Sequence, residues 1–361
     1  MRIAVACGGT GGHIFPGLAT AQELVRRGHD VTLWLAGRDV EADSVCDWSG
    51  PVVALKARGL GGGAGAKLSA MAGMVKTVWE ACRLMRKDRP DMVLAMGSYA
   101  SIGPGIAARL LRIPLVLHEG NAVPGRAVRL LASSAAAIGT GFEAPRGLPS
   151  AKTVYCGFPV RAAFSGLEKH PAIPPVLLVT GGSQGAAILN RVVPEAVKAF
   201  VGGDAGEMQV VHLSGRREYE AVRERYKGLE PIVRVAAFAD NMPELYAAAS
   251  LAITRAGAAT CTELAVAGVP AILVPFAAAV GNHQWHNAQA MTKSGGFILL
   301  DESSCTPTAV ADLLRELFPA SHRLRQMQAA LPGRVVADGA VRLADLVERI
   351  ADPGTPCPQK R

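Results

Sequence analysis

Apolar residues fall along this chain in two arrangements: short unbroken runs, and stretches repeating at three and four positions. The runs at residues 2–6, 31–35, 92–96 and 115–118 predict strands buried on both faces, as in a parallel sheet. Residues 18–27 have helical spacing and stop at Gly28, a residue suited to the left-handed turn after a helix. The pattern then restarts. Residues 176–180 form another apolar run, which enters Gly181-Gly182-Ser183-Gln184-Gly185-Ala186 and then a helix. The N-terminus does the same, passing from a strand through Gly8-Gly9-Thr10-Gly11-Gly12-His13 into a helix. The expected class is α/β, with two Rossmann-like, doubly wound parallel-sheet domains facing across a cleft. The domains are read as residues 1–162 and 163–340, with 341–361 a C-terminal helix and tail packing back toward the first domain. Pro171-Ala172-Ile173-Pro174-Pro175 reads as a natural linker, and the Pro-rich, basic end at 353–361 as a frayed tail.

Composition narrows the class. A chain of 361 residues exceeds one ordinary core, and 50% hydrophobic content excludes global disorder. The seven cysteines stand singly, with no CxxC pair, which suits free thiols in a reducing compartment. Cys7 reads as a small apolar filler. The opening residues reach glycine too soon for a secretory leader. Residues 264–292 carry no charged side chain, but Gly268, Pro270, Pro275 and Gly281 interrupt them. A helix end, a strand at 271–274 and a loop are expected there, not a membrane span. The formal charge of +8 favours anionic partners. Nucleic acid is not expected: the basic residues are dispersed and no RRM, KH or helix-turn-helix signature is present.

A glycine-rich turn between strand and helix permits positive φ, close approach of a ligand, and free N–H groups at the positive end of a helix. Two such turns point to a diphosphate ligand. The dinucleotide fingerprint GxGxxG is absent from Gly8–His13, and Trp34-Leu35-Ala36-Gly37-Arg38 holds no acid where that fingerprint needs one. The P-loop ending is missing too. A sugar nucleotide or similar diphosphate remains. Gly97-Ser98-Tyr99-Ala100-Ser101 and His118-Glu119-Gly120-Asn121 follow further strands and would line the same side of the first domain.

His13 sits where a helix begins, which biases imidazole toward the neutral form. It is a candidate general base, a substrate-positioning group, or a structural histidine bonded to backbone. Glu119 is the rival base, with structural ion pairing as its alternative. No metal is expected. The run Asp39-Val40-Glu41-Ala42-Asp43 imitates a paired-acid motif but reads as an acidic first helical turn, and His283 and His286 lack a third ligand. Arg255 is open between a ligand contact and a pair with a nearby acid.

Together CGGTGGHIFPGLA, MGSYAS, LHEGN, GFPVR, GGSQGA, RAGAATCTELAVAGVPAILVPF and NHQWHNA resemble the undecaprenyl-diphospho-muramoylpentapeptide N-acetylglucosaminyltransferases, the MurG family (glycosyltransferase family 28, GT-B fold). The motifs run in order over nearly the whole chain. The resemblance implies an inverting, UDP-GlcNAc-dependent hexosyltransferase moving N-acetylglucosamine to the C4 hydroxyl of the muramoyl sugar of lipid I, forming lipid II. It implies no cofactor. By motif, Glu263 would hold the ribose hydroxyls. Ser183, Gln184, Ala258, Ala259 and Thr260 would face the diphosphate. Arg161, Phe238 and Ala239 would bound the uracil, and Gln284 would touch the transferred sugar. Thr10, Gly11, Gly12 and Asn121 would complete the site from the first domain. Family members often carry Gln where Gly120 stands and Asn where Phe158 stands, and the loop at 277–281 is blander here.

A lipid acceptor requires docking on a membrane. Leu68, Met71, Val75, Val78, Cys82 and Met85 form a helical apolar stripe read as core-facing. Lys76, Trp79, Arg83 and Arg86 form a second face suited to an anionic membrane surface, or simply a solvated one. The loop at 59–65 would shape an acceptor channel. The implied location is peripheral, on the cytoplasmic face of the bacterial inner membrane, with other cell-wall synthesis proteins as further partners. The rival readings are a GT-B transferase with another acceptor, a UDP-sugar epimerase, and a non-catalytic UDP-sugar-binding partner at the membrane.

Overall fold

The computed structural model describes residues 1–352 apart from 38–40, 42–44, 56–63, 144, 146, 165, 171, 183, 203–206, 319–320 and 332–337, and no side chain at 64–70 or 321. Ser183, Pro171, the acids at 39 and 43, most of the 59–65 loop, the Leu68 side chain and the tail therefore lie outside the described residues. The chain divides into two compact units, Met1–Ala162 with Ala337–Arg361, and Ala163–Val336. The proline-rich stretch at 171–175 falls inside the second unit and not at the change of unit. It is tied there by backbone: Ala172 N–H donates to the Ala248 carbonyl.

The first unit holds strands β1 (Arg2–Ala6), β2 (Asp30–Leu35), β3 (Val52–Ala54), β4 (Met92–Ala95), β5 (Leu115–Glu119), β6 (Ala137–Thr140) and β7 (Thr153–Tyr155). They form one sheet in the order β3-β2-β1-β4-β5-β6-β7, with parallel pairing throughout. The second unit holds β8 (Val176–Thr180), β9 (Gln209–Leu213), β10 (Val233–Ala236), β11 (Ala249–Thr254), β12 (Ala271–Leu273) and β13 (Phe297–Leu299), in the order β10-β9-β8-β11-β12-β13. Both sheets reverse their winding between two central strands, β1/β4 and β8/β11. Ligands of open parallel sheets bind beyond the carboxyl ends of the strands at that switch point.

Alternation along each strand sends side chains to two cores, one per face. In β1, Ile3 and Val5 join one cluster, and Ala4 and Ala6 the other. In β8, Leu177 and Val179 face one core and Leu178 the other. Helix Gly339–Ala351 supplies Leu343, Leu346 and Val347 to the first unit's core. It is pinned by Arg27, whose guanidinium donates to Asp345 at 2.7 Å and Glu348 at 2.6 Å.

Two expectations change. The helix after the first glycine turn is Gly11–Arg26, not one starting at 18. Pro16 forfeits one intrahelical bond without breaking the helix, because it lies close to the start where few such bonds exist. In helix Ala64–Lys87 the apolar stripe is not core-facing along its length. Cys82 and Met85 are buried, but Met71 is 63% exposed and Val75 69% exposed. The partner helix Ile102–Leu111 has 10 residues against 24, so it covers only part of its neighbour, crossing where a Cβ on Gly103 would lie 2.6 Å from Thr77 Cγ2. Among the described residues no helix is long and apolar enough to cross a membrane.

Candidate functional site

In the second unit the switch point lies between the ends of β8 and β11. The turn after β8 is built on glycine by necessity. A Cβ on Gly181 would lie 2.2 Å from the Ala186 nitrogen, and one on Gly185, at φ +74°, 2.1 Å from the Ser214 carbonyl oxygen. Gly182 N–H donates to Thr180 Oγ1, Gly185 N–H to the Gly182 carbonyl, and helix Ala187–Val201 follows. Gln184 is exposed on this turn.

Behind the turn lies a buried polar network. His212 Nε2 donates to Asn190 Oδ1 and its Nδ1 accepts from the Tyr226 hydroxyl, each at 3.0 Å, and Asn190 Nδ2 donates to the Ser214 carbonyl at 2.9 Å and to Glu218. Burial lowers His212 to about 3 and raises Tyr226, so both stay uncharged at neutral pH. The network holds Ser214 and Gly215 against Gln184 and Gly185. Periodicity could not reveal it, although Asn190 and His212 stand out as polar residues in otherwise apolar runs.

After β11, Gly257 caps helix Ala258–Val266 without a side-chain bond. The first N–H groups of the helix, those of Ala258, Ala259 and Thr260, are the ones a helix leaves for outside partners. Glu263 is buried one turn on. The hydroxyl of Thr254, at the end of β11, is buried with no hydrogen-bond partner among the described residues. Asn287, fully buried, donates to the Ala256 carbonyl and fastens helix His283–Thr292 just ahead of the Gly257 cap.

The next loop is clamped. Arg255 Nη1 donates to the Val274 and Pro275 carbonyls at 3.2 Å each, and Nη2 to Glu302 Oε1 at 2.6 Å. Glu302 Oε2 accepts from Ala277 N–H at 2.7 Å. Phe276 N–H donates to Gln284 Oε1 at 3.0 Å, and the Phe276 ring centre lies 5.1 Å from the Arg255 guanidinium. Burial pushes the Glu302 carboxyl up, but the bonds from Arg255 and Ala277 outweigh it and the net displacement is downward. Arg255 thus pairs with an acid 47 residues away. Phe238 is 52% exposed, and Ala239 beside it is half-buried.

The first unit's turn is built differently. Gly9, at φ +122°, donates its N–H to Glu41 Oε1 at 2.6 Å. Glu41 is helical, consistent with the reading of this acidic run as a helical turn, and its side chain is buried. One N–H expected to face a phosphate is therefore spent on a carboxylate, whose charge opposes an anion there. Thr10 and Gly12 are exposed, Gly11 half-buried. His13 is half-buried in the first turn of its helix, and its Nδ1 lies 2.7 Å from the Met96 carbonyl oxygen. A carbonyl only accepts, so Nδ1 carries the proton and the neutral ring has its lone pair on Nε2.

Glu119 is buried, and its oxygens accept from Asn121 N–H at 2.9 Å, Asn121 Nδ2 at 3.1 Å and Gly125 N–H at 2.7 Å. It organises the loop carrying Asn121 through two backbone N–H groups and one side-chain amide. His118 contacts the Gly157 carbonyl at 3.3 Å. Burial brings His118 down to about 4, against the pull of that bond and with help from nearby His13. Arg161 belongs to this unit and stacks on Phe15, 4.8 Å from the ring centre. Cys7 is buried and its thiol pushed up to about 12, chiefly by burial and further by Glu41. Among the described residues no group of three or more His, Cys, Asp or Glu could hold a metal. His283 Nδ1 is engaged by the Val280 carbonyl at 2.9 Å.

Two family models match in succession, the glycosyltransferase family 28 N-terminal domain over residues 3–140 and its C-terminal domain over 176–346. A relative from Rhodospirillum rubrum, a UDP-N-acetylglucosamine–N-acetylmuramyl-(pentapeptide) pyrophosphoryl-undecaprenol N-acetylglucosamine transferase, is 38% identical over 99% of this chain and 94% of its own. The chain belongs to this transferase family. Among solved structures, Acinetobacter baumannii MurG matches with TM-score 0.79 and 30% identity, covering 96% of this chain and 99% of the other. A UDP-GlcNAc 2-epimerase from Neisseria meningitidis shares the fold at TM-score 0.67 and 12% identity over 97% of this chain and 100% of its own.

Gly120 and Phe158, the two positions where departures from the family were expected, lie against each other. A Cβ on Gly120 would lie 2.7 Å from the Phe158 ring. Phe158 is buried edge-on to His118, with ring centres 6.0 Å apart. The large ring occupies the space a side chain at 120 would need.

Proposed function

We propose that the chain transfers N-acetylglucosamine from UDP-GlcNAc to the C4 hydroxyl of the muramoyl sugar of lipid I, with inversion, giving lipid II. The observation that carries this is the second unit's switch point. There a glycine turn, a helix opening at Ala258 and the buried Glu263 converge on the carboxyl ends of β8 and β11. The diphosphate faces the N–H groups of the turn at 181–186 and of Ala258, Ala259 and Thr260. Glu263 accepts from the ribose hydroxyls, Phe238 and Ala239 bound the uracil, and Gln284 meets the transferred sugar.

His13 Nε2 takes the proton of the C4 hydroxyl as that oxygen bonds to the anomeric carbon. The bond from the anomeric carbon to the phosphate oxygen breaks on the opposite face, and its electron pair leaves with UDP. Backbone N–H groups at two helix starts stabilise the departing charge. Thr10, Gly11, Gly12 and Asn121 contribute to holding UDP-GlcNAc, and no metal or cofactor takes part. Glu119 is the weaker candidate for the base, because its oxygens already accept three N–H donors.

The acceptor is reached from the cytoplasmic face of the inner membrane, where the protein is peripheral. Met71, Val75 and Trp79 are each more than half exposed along helix Ala64–Lys87, beside exposed Lys76, Arg83 and Arg86. Apolar and cationic groups on one exposed face suit an anionic bilayer. Trp79→Ala with Arg83→Glu should abolish binding to anionic vesicles and leave turnover of a soluble lipid I analogue intact. Unchanged vesicle binding would refute the docking face. The reaction is tested with radiolabelled UDP-GlcNAc and a lipid I analogue, with and without chelator. A labelled disaccharide-lipid product in both is expected. An isomerised UDP-sugar made without acceptor, or binding without turnover, would overturn it.

A further inference from the structure

We infer that the Arg255–Glu302 pair is a positioning device for Gln284, and that it sets how tightly and how selectively the transferred sugar is held. The inference rests on the donor-site reading above and goes beyond it in naming the residues that fix the sugar contact. Three strand ends meet in this device. Arg255 follows β11, the loop at 274–277 follows β12, and Glu302 opens the short turn after β13. The guanidinium takes two successive carbonyls of the loop, and the carboxylate takes the next free N–H, that of Ala277. The ion pair joining them is largely shielded, with side chains 12% and 22% exposed.

Between the two grips lies Phe276, whose N–H holds Gln284 Oε1. A backbone N–H can only donate, so the amide oxygen of Gln284 faces the loop. Its Nε2 hydrogens are then the group it offers a ligand, and they suit a hydroxyl or acetamido oxygen of a sugar. If the clamp loosens, Phe276 N–H moves and Gln284 is free to rotate. UDP itself, held by glycine turn, helix and Glu263, does not depend on this loop. The pair therefore acts on the sugar and not on the nucleotide.

Glu302→Ala should raise the KM for UDP-GlcNAc about tenfold, since the Arg255 guanidinium and the Ala277 N–H both lose a charge-assisted partner. The Kd for UDP alone and the KM for the lipid I analogue should stay within about twofold. Preference for UDP-GlcNAc over UDP-GalNAc should narrow. Glu302→Gln keeps an oxygen for Ala277 N–H and should fall between, which serves if the alanine variant folds poorly. An unchanged KM for UDP-GlcNAc in both variants, or a parallel weakening of UDP, would overturn the inference. Gln284→Ala separates the two levels. If it leaves the UDP-GlcNAc KM unchanged, the donor-site reading itself fails; if it raises that KM while the Glu302 variants do not, only the positioning role fails.

Discussion

The two glycine turns look alike in sequence and occupy the same place in sheets of the same winding, yet they are backed by different electrostatics. The first, Gly8–His13, gives its Gly9 N–H to the buried carboxylate of Glu41. The second, Gly181–Ala186, is backed by the uncharged Asn190–His212–Tyr226 network, and the nearby Glu218 is engaged by Asn190 and not by a turn N–H. An anion is favoured where backbone donors converge without a fixed negative charge among them. The second turn meets that condition and the first does not. The first turn instead delivers a histidine with a defined tautomer to the start of a helix. A shared motif therefore specifies a backbone path, while its neighbours decide whether that path holds phosphate or aims a side chain.

The largest effect should come from the histidine. His13→Ala is expected to lower kcat by about 10²–10⁴-fold, the usual contribution of a positioned base, with UDP affinity unchanged. Single-turnover kinetics beside calorimetric UDP binding checks both. Gly185→Ala should follow. Its Cβ would lie 2.1 Å from the Ser214 oxygen at a strained φ, so UDP affinity should fall about a hundredfold, whereas Gly9→Ala in the other turn should spare UDP and reduce kcat. Equal loss of UDP binding in both variants would erase the distinction between the turns.

Acid should weaken both units through one histidine each. His118 is brought down to about 4 and His212 to about 3, from 6.5. Between those values and 6.5 the unfolded chain binds more protons than the folded one, so stability rises with pH and is lost as pH falls below about 6.5. The loss should be on the order of 3 kcal/mol per residue by the low end of that window. Thermal melts from pH 7 to 4.5 should show it, and His212→Gln should remove about half the slope. A flat profile would mean the histidines are hydrated. The smallest effect belongs to Glu41→Gln, which keeps an oxygen for Gly9 N–H while removing the charge. UDP affinity should stay within about twofold, and stability should fall by about 1 kcal/mol. A UDP affinity raised severalfold would show that the first turn touches the donor diphosphate after all.

The strands of both sheets were legible because parallel strands buried on two faces read as unbroken apolar runs, and the turns because only glycine tolerates their close approaches. Gln184 and Ala258 could be placed for the same local reason, since one lies in the turn after a strand and the other opens a helix, whereas Glu263, further along that helix, was marked by the family motif. What could not be read were partners brought together by strand order. Glu41 beyond β2 reaches Gly9 beyond the adjacent β1, Arg255 beyond β11 reaches Glu302 past the intervening β12, and Asn190 on its helix reaches His212 in β9. The helix at 64–87 shows the same limit, because periodicity marks an apolar stripe but not how far a shorter neighbour covers it.

By itself the sequence determined the two parallel-sheet units, their glycine turns and the family, all of which are written in local pattern and short motifs. Tertiary structure alone decided which turn carries a fixed charge, which nitrogen of His13 bears the proton and how Gln284 is turned. The reason is physical: backbone preference acts over a few residues, whereas the charge and hydrogen-bond partners of a site are set by side chains that meet only when the strands have been ordered.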